Sequence, residues 1–474
     1  MVTNHAKPEA PEQTFDAFIA LSQSLRWDHV PEATRANVRR ELLDYLGAAI
    51  AGRAAAGMPP WLKVLIDAGG RPDARVLGGP RVPAATAALC NGYFGHVLEF
   101  DDTHDDAALH AGSAAIPAAF AAAGLRGSVS GKELCEAVLL GIELTCRLGV
   151  ATRLNLIEGG WIYTALLGHF GATLAAGRLI DPRADTLRNA LGIVYCMASG
   201  NHQSTREGAP TKHVQPGFAA AHAVTAALMG SAGLPGVKHP LTGEDGLSRV
   251  YLHDRFEPER AVRGLGTAWE FDRLSIKPYP SCRFTHPAIS AALELHARLG
   301  ADVAKIERVE LLIGPQELDV VGRDVAEKRA PQTRVNAQFS VYWCVANVLA
   351  YGEVTPIQLA GEIPPSPRLA AWIAKISAAP YPDANAAQCV IGGCTIRAHG
   401  PFSTSGVCEV TQTSAKGHPD NPLSDDELLA KFKANLRYAK VSDACAEELA
   451  DAILNIDSLS DVQPLADAIA GAVD

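Results

Sequence analysis

Residues 96–124 read HVLEFDDTHDDAALHAGSAAIPAAFAAAG, a polar cluster that runs straight into an alanine-rich apolar segment. His96 to His110 hold five carboxylates, three imidazoles and a hydroxyl in fifteen residues, more ionisable chemistry than a core segment needs. The segment after them has helical character and is apolar enough to be buried against neighbouring helices. The cluster is therefore expected at the mouth of a buried helix. If the helix that begins near Asn91 runs on, Glu99, Asp102 and Asp106 share one face at i, i+3 and i+7, with Glu99 and Thr103 as i, i+4 neighbours. Two further readings are a solvated acidic loop between helices and a divalent-metal site built from Asp and His. The metal reading fits less well, because the ligands crowd one loop and no motif such as HExxH completes them.

On either side of this stretch the chain reads as helix after helix up to about residue 265. Residues 1–13 are a polar, Pro-containing lead-in expected to be disordered. Helices are expected from Thr14 and from Pro31, the latter with Pro at a first-turn position and Gly near its end. Ser130 and Glu133 form a capping box ahead of a helix apolar on most of its circumference. Residues 159–180, 185–201 and 215–233 continue in the same manner. The character changes after IKPYPSCRFTHPAI: residues 303–314 alternate like a strand, 386–400 are rich in Val, Ile, Cys and Thr, and 405–412 look like a partner strand. Helix candidates lie at 287–300, 337–351 and 367–376, and Ser424 with Glu427 caps a last amphipathic helix followed by two helical segments. The expected architecture is mainly α with a smaller α+β domain. A helical domain would span 14–273, completed by 413–474, with an α+β lid at 274–412.

Composition narrows the function. The net charge of −10 and the absence of a Lys/Arg-rich run argue against a nucleic-acid partner. The ten cysteines show no CxxC or framework spacing and read as reduced thiols of a cytoplasmic protein. The N-terminus lacks an apolar signal core, and no window reaches the ~18 apolar residues of a membrane span. GLRGSVSGKE has the wrong glycine spacing for a phosphate loop, no GxGxxG follows a strand, and no GxSxG elbow is present. What remains is Glu99 to His110, the pair Arg206 and Lys212, and the segment Lys277 to His286. Lysine in a dry pocket is a carboxylate clamp or, with a depressed pKa, an acid or base. Lys277 stands at the domain boundary, where two prolines and Arg283 make a rigid loop that presents cations to a cleft.

These segments resemble the MmgE/PrpD family, which includes 2-methylcitrate dehydratases, cis-aconitate decarboxylases and iminodisuccinate epimerases. The resemblance runs through LEFDDTH with His110 beyond it, GHFGA at 168–172, TKH and PGFAA at 211–220, KPYPSCRFTHPAI at 277–289, NAQFSV at 336–341 and KGHPDNPLSDDEL at 416–428. It implies a helical domain with an α+β lid, a homodimer, and a pocket without metal or organic cofactor. Carried over by position, that pocket uses Glu99, Thr103, His110, Lys212 and Lys277, with Trp343 where some relatives have a pocket tyrosine. Two departures stand out. Relatives carry a pocket histidine in a GWHPT-like segment, whereas this chain reads GWIYT and puts Ile162 there with Tyr163 beside it; a second histidine often found after the TK motif is Gln215 here.

The resulting expectation is a cofactor-independent lyase, of dehydratase or decarboxylase type, acting next to a carboxylate of a small di- or tricarboxylic acid. Lys212, Lys277 and Arg283 would stabilise developing charge and His110 would protonate the departing group, with Asp102, Arg206, Glu99, Thr103 and Trp343 binding substrate. The rival enzymatic reading is an epimerase using Tyr163 and Lys212 on opposite faces of one carbon. A binding protein with a dead pocket is the non-enzymatic rival. The acidic cluster and Lys277 should face one cleft, and Ile162 should weaken turnover of 2-methylcitrate and cis-aconitate.

Overall fold

A computed structural model describes residues 12–361, 363–382, 392–402 and 406–473. Most of the expected N-terminal lead-in, and residues 386–391 of one expected strand, lie outside the described residues. The chain is mainly α with a smaller α+β unit, and it has two hydrophobic cores. The first gathers residues from Phe15 to Phe271 and takes up the chain again from Leu428 to Ala470; the second runs from Cys282 to Val410.

The longer helices of the first core are α1 (Gln13–Ser24), α2 (Glu32–Ala56), α3 (Ala84–His96), α4 (Gly112–Arg126), α5 (Gly131–Ala151), α6 (Gly168–Ile180), α7 (Ala184–Tyr195) and α8 (Thr211–Ser231). The Ser130/Glu133 capping box is present at the start of α5, with both reciprocal hydrogen bonds made. The segment read as one helix from 159 breaks into a turn of helix at Tyr163–Leu166 and then α6. This break presents Trp161, Ile162 and Tyr163 to the cleft described below.

Glycine allows a close contact between α3 and α8. A Cβ on Gly92 of α3 would lie 2.8 Å from the Cα of Gly217 in α8, so the two backbones meet there without side chains between them. The contact leaves the C-terminal end of α3, with His96, beside the N-terminal end of α8, with Lys212.

The second core packs α9 (His286–Leu299), α10 (Val341–Tyr351) and α11 (Pro367–Lys375) on a four-stranded sheet. Its strands are β1 (Arg308–Ile313), β2 (Ile376–Pro380), β3 (Cys394–His399) and β4 (Val407–Gln412), in the order β2-β1-β3-β4. β1 is parallel to β2, with Val309 opposite Ile376, and antiparallel to β3, with Val309 opposite Ala398; β3 is antiparallel to β4, with Ile396 opposite Val410. The alternation expected in β1 is real: Val309, Leu311 and Ile313 are buried and the residues between them are not. β2 was absent from the sequence expectation, which assigned its first residue to the helix before it. Helices α12 (Asp425–Tyr438), α13 (Asp443–Leu454) and α14 (Gln463–Gly471) return to the first core, and Ser424 and Glu427 form the expected capping box.

The acidic stretch does not continue α3. The helix ends at His96, Glu99 adopts φ +52°, and Thr103–His104 form a two-residue strand against Leu274–Ser275, with Thr103 opposite Ser275. The expected shared helical face of Glu99, Asp102 and Asp106 is thus replaced by a loop whose carboxylates diverge. The small ribbon also carries the loop bearing Lys277 and Arg283 against the acidic stretch.

Candidate active site

The floor of the site is Glu99, wholly buried. Lys212 forms an ion pair with its Oε1, Lys277 Nζ lies 3.6 Å from its Oε2, and Lys277 also donates to the Glu99 backbone carbonyl at 3.1 Å. Two buried ammonium groups therefore face one buried carboxylate, which keeps each from being an isolated charge in a dry interior. Burial, with Lys277 as neighbour, pushes Lys212 well below the ordinary lysine value, and burial lowers Lys277 as well.

Behind Lys212 stands a relay that the sequence reading did not single out. Nε2 of His96 is 2.8 Å from Lys212 Nζ, and Nδ1 of His96 is 2.8 Å from Asp101 Oδ2. A carboxylate accepts, so Nδ1 carries the proton and Nε2 accepts from the ammonium. Burial first, then both lysines, hold His96 well below its ordinary pKa and so neutral. His213 adds a second imidazole, with Nε2 3.7 Å from Glu99 Oε1.

His110 is fixed in the same way. Its Nδ1 is 2.6 Å from the carbonyl oxygen of Asp102 and 3.3 Å from Thr103 Oγ1, and its backbone N–H donates to Thr164 Oγ1 at 3.0 Å. The carbonyl can only accept, so Nδ1 is the protonated nitrogen. Nε2, 3.9 Å from Glu99 Oε2, is then an acceptor. Burial and Lys277 bring the His110 pKa down to about 3, so the neutral ring is the resting form. A neutral His110 in this tautomer is a base rather than the proton donor that the sequence suggested.

A cleft of about 630 Å³ opens above these groups. Glu99, Thr103, His110, Lys212 and Arg283 line it together with Ile162, Tyr163, Phe284, Val320 and Phe339. Most of the wall is apolar. Of the expected convergence of the acidic stretch and Lys277 on one cleft, Glu99, Thr103 and His110 line it, whereas Lys277 does not: it is buried behind the floor and reaches Glu99 from there.

Other sequence candidates sit elsewhere. Asp102 does not face the cleft: its carboxylate accepts from the backbone N–H groups of Ala111 and Gly112, at 2.9 and 3.0 Å, and so caps α4. Burial and Asp101 raise its pKa to about 8. Trp343 is wholly buried in the second core, away from the cleft, because its position on α10 points it inward. Arg206 lines a hollow next to the cleft rather than the cleft itself. Arg283 reaches the cleft, but its guanidinium is held by Asp105 at 2.8 Å and by the Lys416 carbonyl at 2.8 Å. Tyr163 donates its hydroxyl hydrogen to the Leu154 carbonyl at 2.6 Å, and burial raises its pKa further from neutrality. Gln215, at the second departure from the family pattern, accepts from the Asn201 N–H at 2.7 Å and donates to Ser204 Oγ at 2.8 Å.

His96, Glu99 and His110 each offer an atom within 4.8 Å of the others and form the candidate metal-binding group among the described residues. The Lys212 ammonium already lies against both His96 Nε2 and Glu99 Oε1. A metal ion would have to displace that cation and sit beside Lys277, so these residues fit a lysine-centred site better than a metal centre.

A helical body and a smaller α+β unit that together line a lysine–carboxylate–histidine cleft define a class of protein, and the comparisons supply its family. Residues 17–259 match the MmgE/PrpD N-terminal domain and residues 279–456 match the MmgE/PrpD C-terminal domain. The chain belongs to the MmgE/PrpD family. It is similar to a cis-aconitate decarboxylase of Aspergillus terreus, 26% identical over 466 residues, covering 94% of this chain and 93% of the relative. It is also similar to the cis-aconitate decarboxylases of Homo sapiens, at 25% identity with 96% and 94% covered, and Mus musculus, at 23% with 95% and 92% covered.

Proposed function

We propose that the protein is a cofactor-independent lyase that decarboxylates a small unsaturated di- or tricarboxylic acid. The observation that carries this reading is the Lys212 ammonium, held between His96 Nε2 and Glu99 on the floor of an apolar-walled cleft. Cis-aconitate decarboxylases among the similar proteins support the same class.

In a β,γ-unsaturated acid, breaking the bond to the carboxylate carbon sends its electron pair into a new double bond. The pair of the old double bond then takes a proton at its far carbon, and CO2 leaves. Lys212 is the proton donor, and water restores its proton after each turnover. An apolar wall of Ile162, Phe284 and Phe339 disfavours the anionic carboxylate relative to neutral CO2. The Thr164 hydroxyl accepts the backbone N–H of His110, which leaves its own hydrogen for a substrate carboxylate. An epimerase that uses Tyr163 as its second base gains no support, because that hydroxyl is committed to Leu154.

The test is CO2 release from a panel of di- and tricarboxylates bearing such a double bond, cis-aconitate included, run in parallel in D2O. One carbon-bound deuterium per CO2 is expected. Loss of water instead of CO2, or no reaction with any member, overturns the proposal.

A further inference from the structure

Next to the cleft lies a second hollow of about 790 Å³, lined by Arg206, Arg323, Lys328, Asp319, Glu327 and Asn336 among others. The two spaces share His202, Thr205 and Val320 in their walls, so the hollow adjoins the site as a vestibule. Its cations outnumber its carboxylates, three to two, and Asp319 is already tied to Arg323. Neither Arg206 nor Lys328 makes an ion pair among the described residues, although Glu327 of the same lining acts on Lys328 through its charge.

Lys328 is the more committed of the two. Its Nζ donates to the Phe339 carbonyl at 2.7 Å and stands 5.8 Å from the Phe339 ring centroid. Lys212 Nζ stands 5.0 Å from that same centroid. The lysine of the reaction cleft and a lysine in the vestibule therefore share one aromatic ring, and both ammonium groups lie within cation–π range of it. An ammonium has three hydrogens, and among the described residues the protein offers Lys328 one strong acceptor, the Phe339 carbonyl. Burial lowers Lys328 to about 8, which leaves it mostly charged at neutral pH.

We propose that the vestibule is a subsite for a second carboxylate, with Lys328 as its anchor, so that the preferred substrate is at least a dianion spanning Phe339. This deepens the lyase reading above and rests on it for the chemistry, though not for the binding. The physical need is plain: a small acid decarboxylated against an apolar wall must be oriented from its other end, and Lys328 is the half-buried cation placed to do so. Arg206, exposed at the outer rim, faces the incoming anion first.

The experiment compares native protein, Lys328→Gln and Lys328→Arg on a turned-over dicarboxylate and on its analogue with the distal carboxylate converted to a neutral amide. Lys328→Gln is expected to lower kcat/KM for the dianion about 10- to 100-fold, the worth of a charged hydrogen bond, chiefly through KM. The amide should change less than about 3-fold, and Lys328→Arg should restore part of the loss. Equal losses on both substrates would assign Lys328 a structural role through the Phe339 carbonyl and overturn the subsite, as would no loss on either. Calorimetric titration of the dicarboxylate into native protein and Lys328→Gln reads the subsite even if no acid is decarboxylated: unweakened binding in the variant sinks the subsite, whereas weakened binding without CO2 release sinks only the lyase reading.

Discussion

Lys212 Nζ and His96 Nε2 are 2.8 Å apart, and the pair joins two helices that are distant in sequence. The imidazole can only accept at that nitrogen, since its other nitrogen gives its proton to Asp101. The contact therefore fixes where the lysine points without neutralising its charge.

Removing that charge should be costly. Lys212→Met leaves Glu99 buried with Lys277 as its remaining counter-ion at 3.6 Å. Breaking a buried pair costs about 3–5 kcal/mol, and the surviving lysine places this variant near the low end. Chemical denaturation should show a loss of about 3 kcal/mol, partly recovered in Lys212→Met/Glu99→Gln, and CO2 release should fall by at least ~10²-fold in both. Unchanged turnover in the single variant would remove Lys212 from the mechanism.

His110 should contribute as an acceptor across the working pH range. With its pKa brought down to about 3, the ring loses its second proton as pH rises through that value and is neutral above it. No acid limb due to His110 is expected between pH 5 and 7 in kcat/KM. His110→Gln should lower the rate without creating or shifting a limb in that window. A native acid limb near pH 6 that vanishes in His110→Gln would show that the imidazolium is the active form.

Ile162 occupies the cleft wall where the family pattern has a histidine. Native turnover of cis-aconitate should be weak, and Ile162→His should raise it about 10- to 100-fold by supplying a hydrogen bond to a charged carboxylate. Tyr163→Phe should change the rate less than about 3-fold, because its hydroxyl serves Leu154. Steady-state kinetics on the three proteins decides this. Vigorous native turnover, unimproved by Ile162→His, would show that the apolar wall excludes nothing.

Asp102 gives a stability prediction with a definite sign. Its pKa is raised from the usual carboxylate range to about 8, so between about pH 4 and 8 the folded chain binds a proton that the unfolded chain has released. Stability from this group is complete below the unfolded value and is lost as pH rises toward 8, at up to ~1.4 kcal/mol per pH unit. Denaturation curves at pH 5, 6, 7 and 8 should show a flatter dependence in Asp102→Asn than in the native protein. Parallel slopes would contradict the assignment.

The sequence made some of this legible and hid the rest for physical reasons. Capping at Ser130 and Ser424 depends on residues three apart, and both boxes appear as read. The alternation of β1 is likewise local. The path of residues 97–104 was misread because its course is decided by a two-residue ribbon with Leu274–Ser275, a partner far along the chain. Once the helix stops, Asp102 turns to cap α4 and Glu99 turns to the lysines. The His96–Asp101 pair was hidden by the same error, since on a continued helix those two side chains do not face each other. Trp343 stands where some relatives have a pocket tyrosine, yet α10 turns it into the second core. Lys328 carried no signal beyond being a lysine near a helix, because its meaning depends on Phe339.

The contact between Gly92 and Gly217 acts as a gauge for the chemistry. A single methyl group at Gly92 would arrive 2.8 Å from the opposing Cα, roughly 1 Å inside ordinary carbon contact, so α3 and α8 would have to part by about that much. His96 and Lys212 ride on those helix ends, and a misplacement of ~1 Å can cost ~10²-fold in rate. The working distance between two ionisable side chains is thereby set by two residues that have no side chain, touch no substrate and carry no charge. Selection acting on the reaction would guard these positions as closely as the lysine itself.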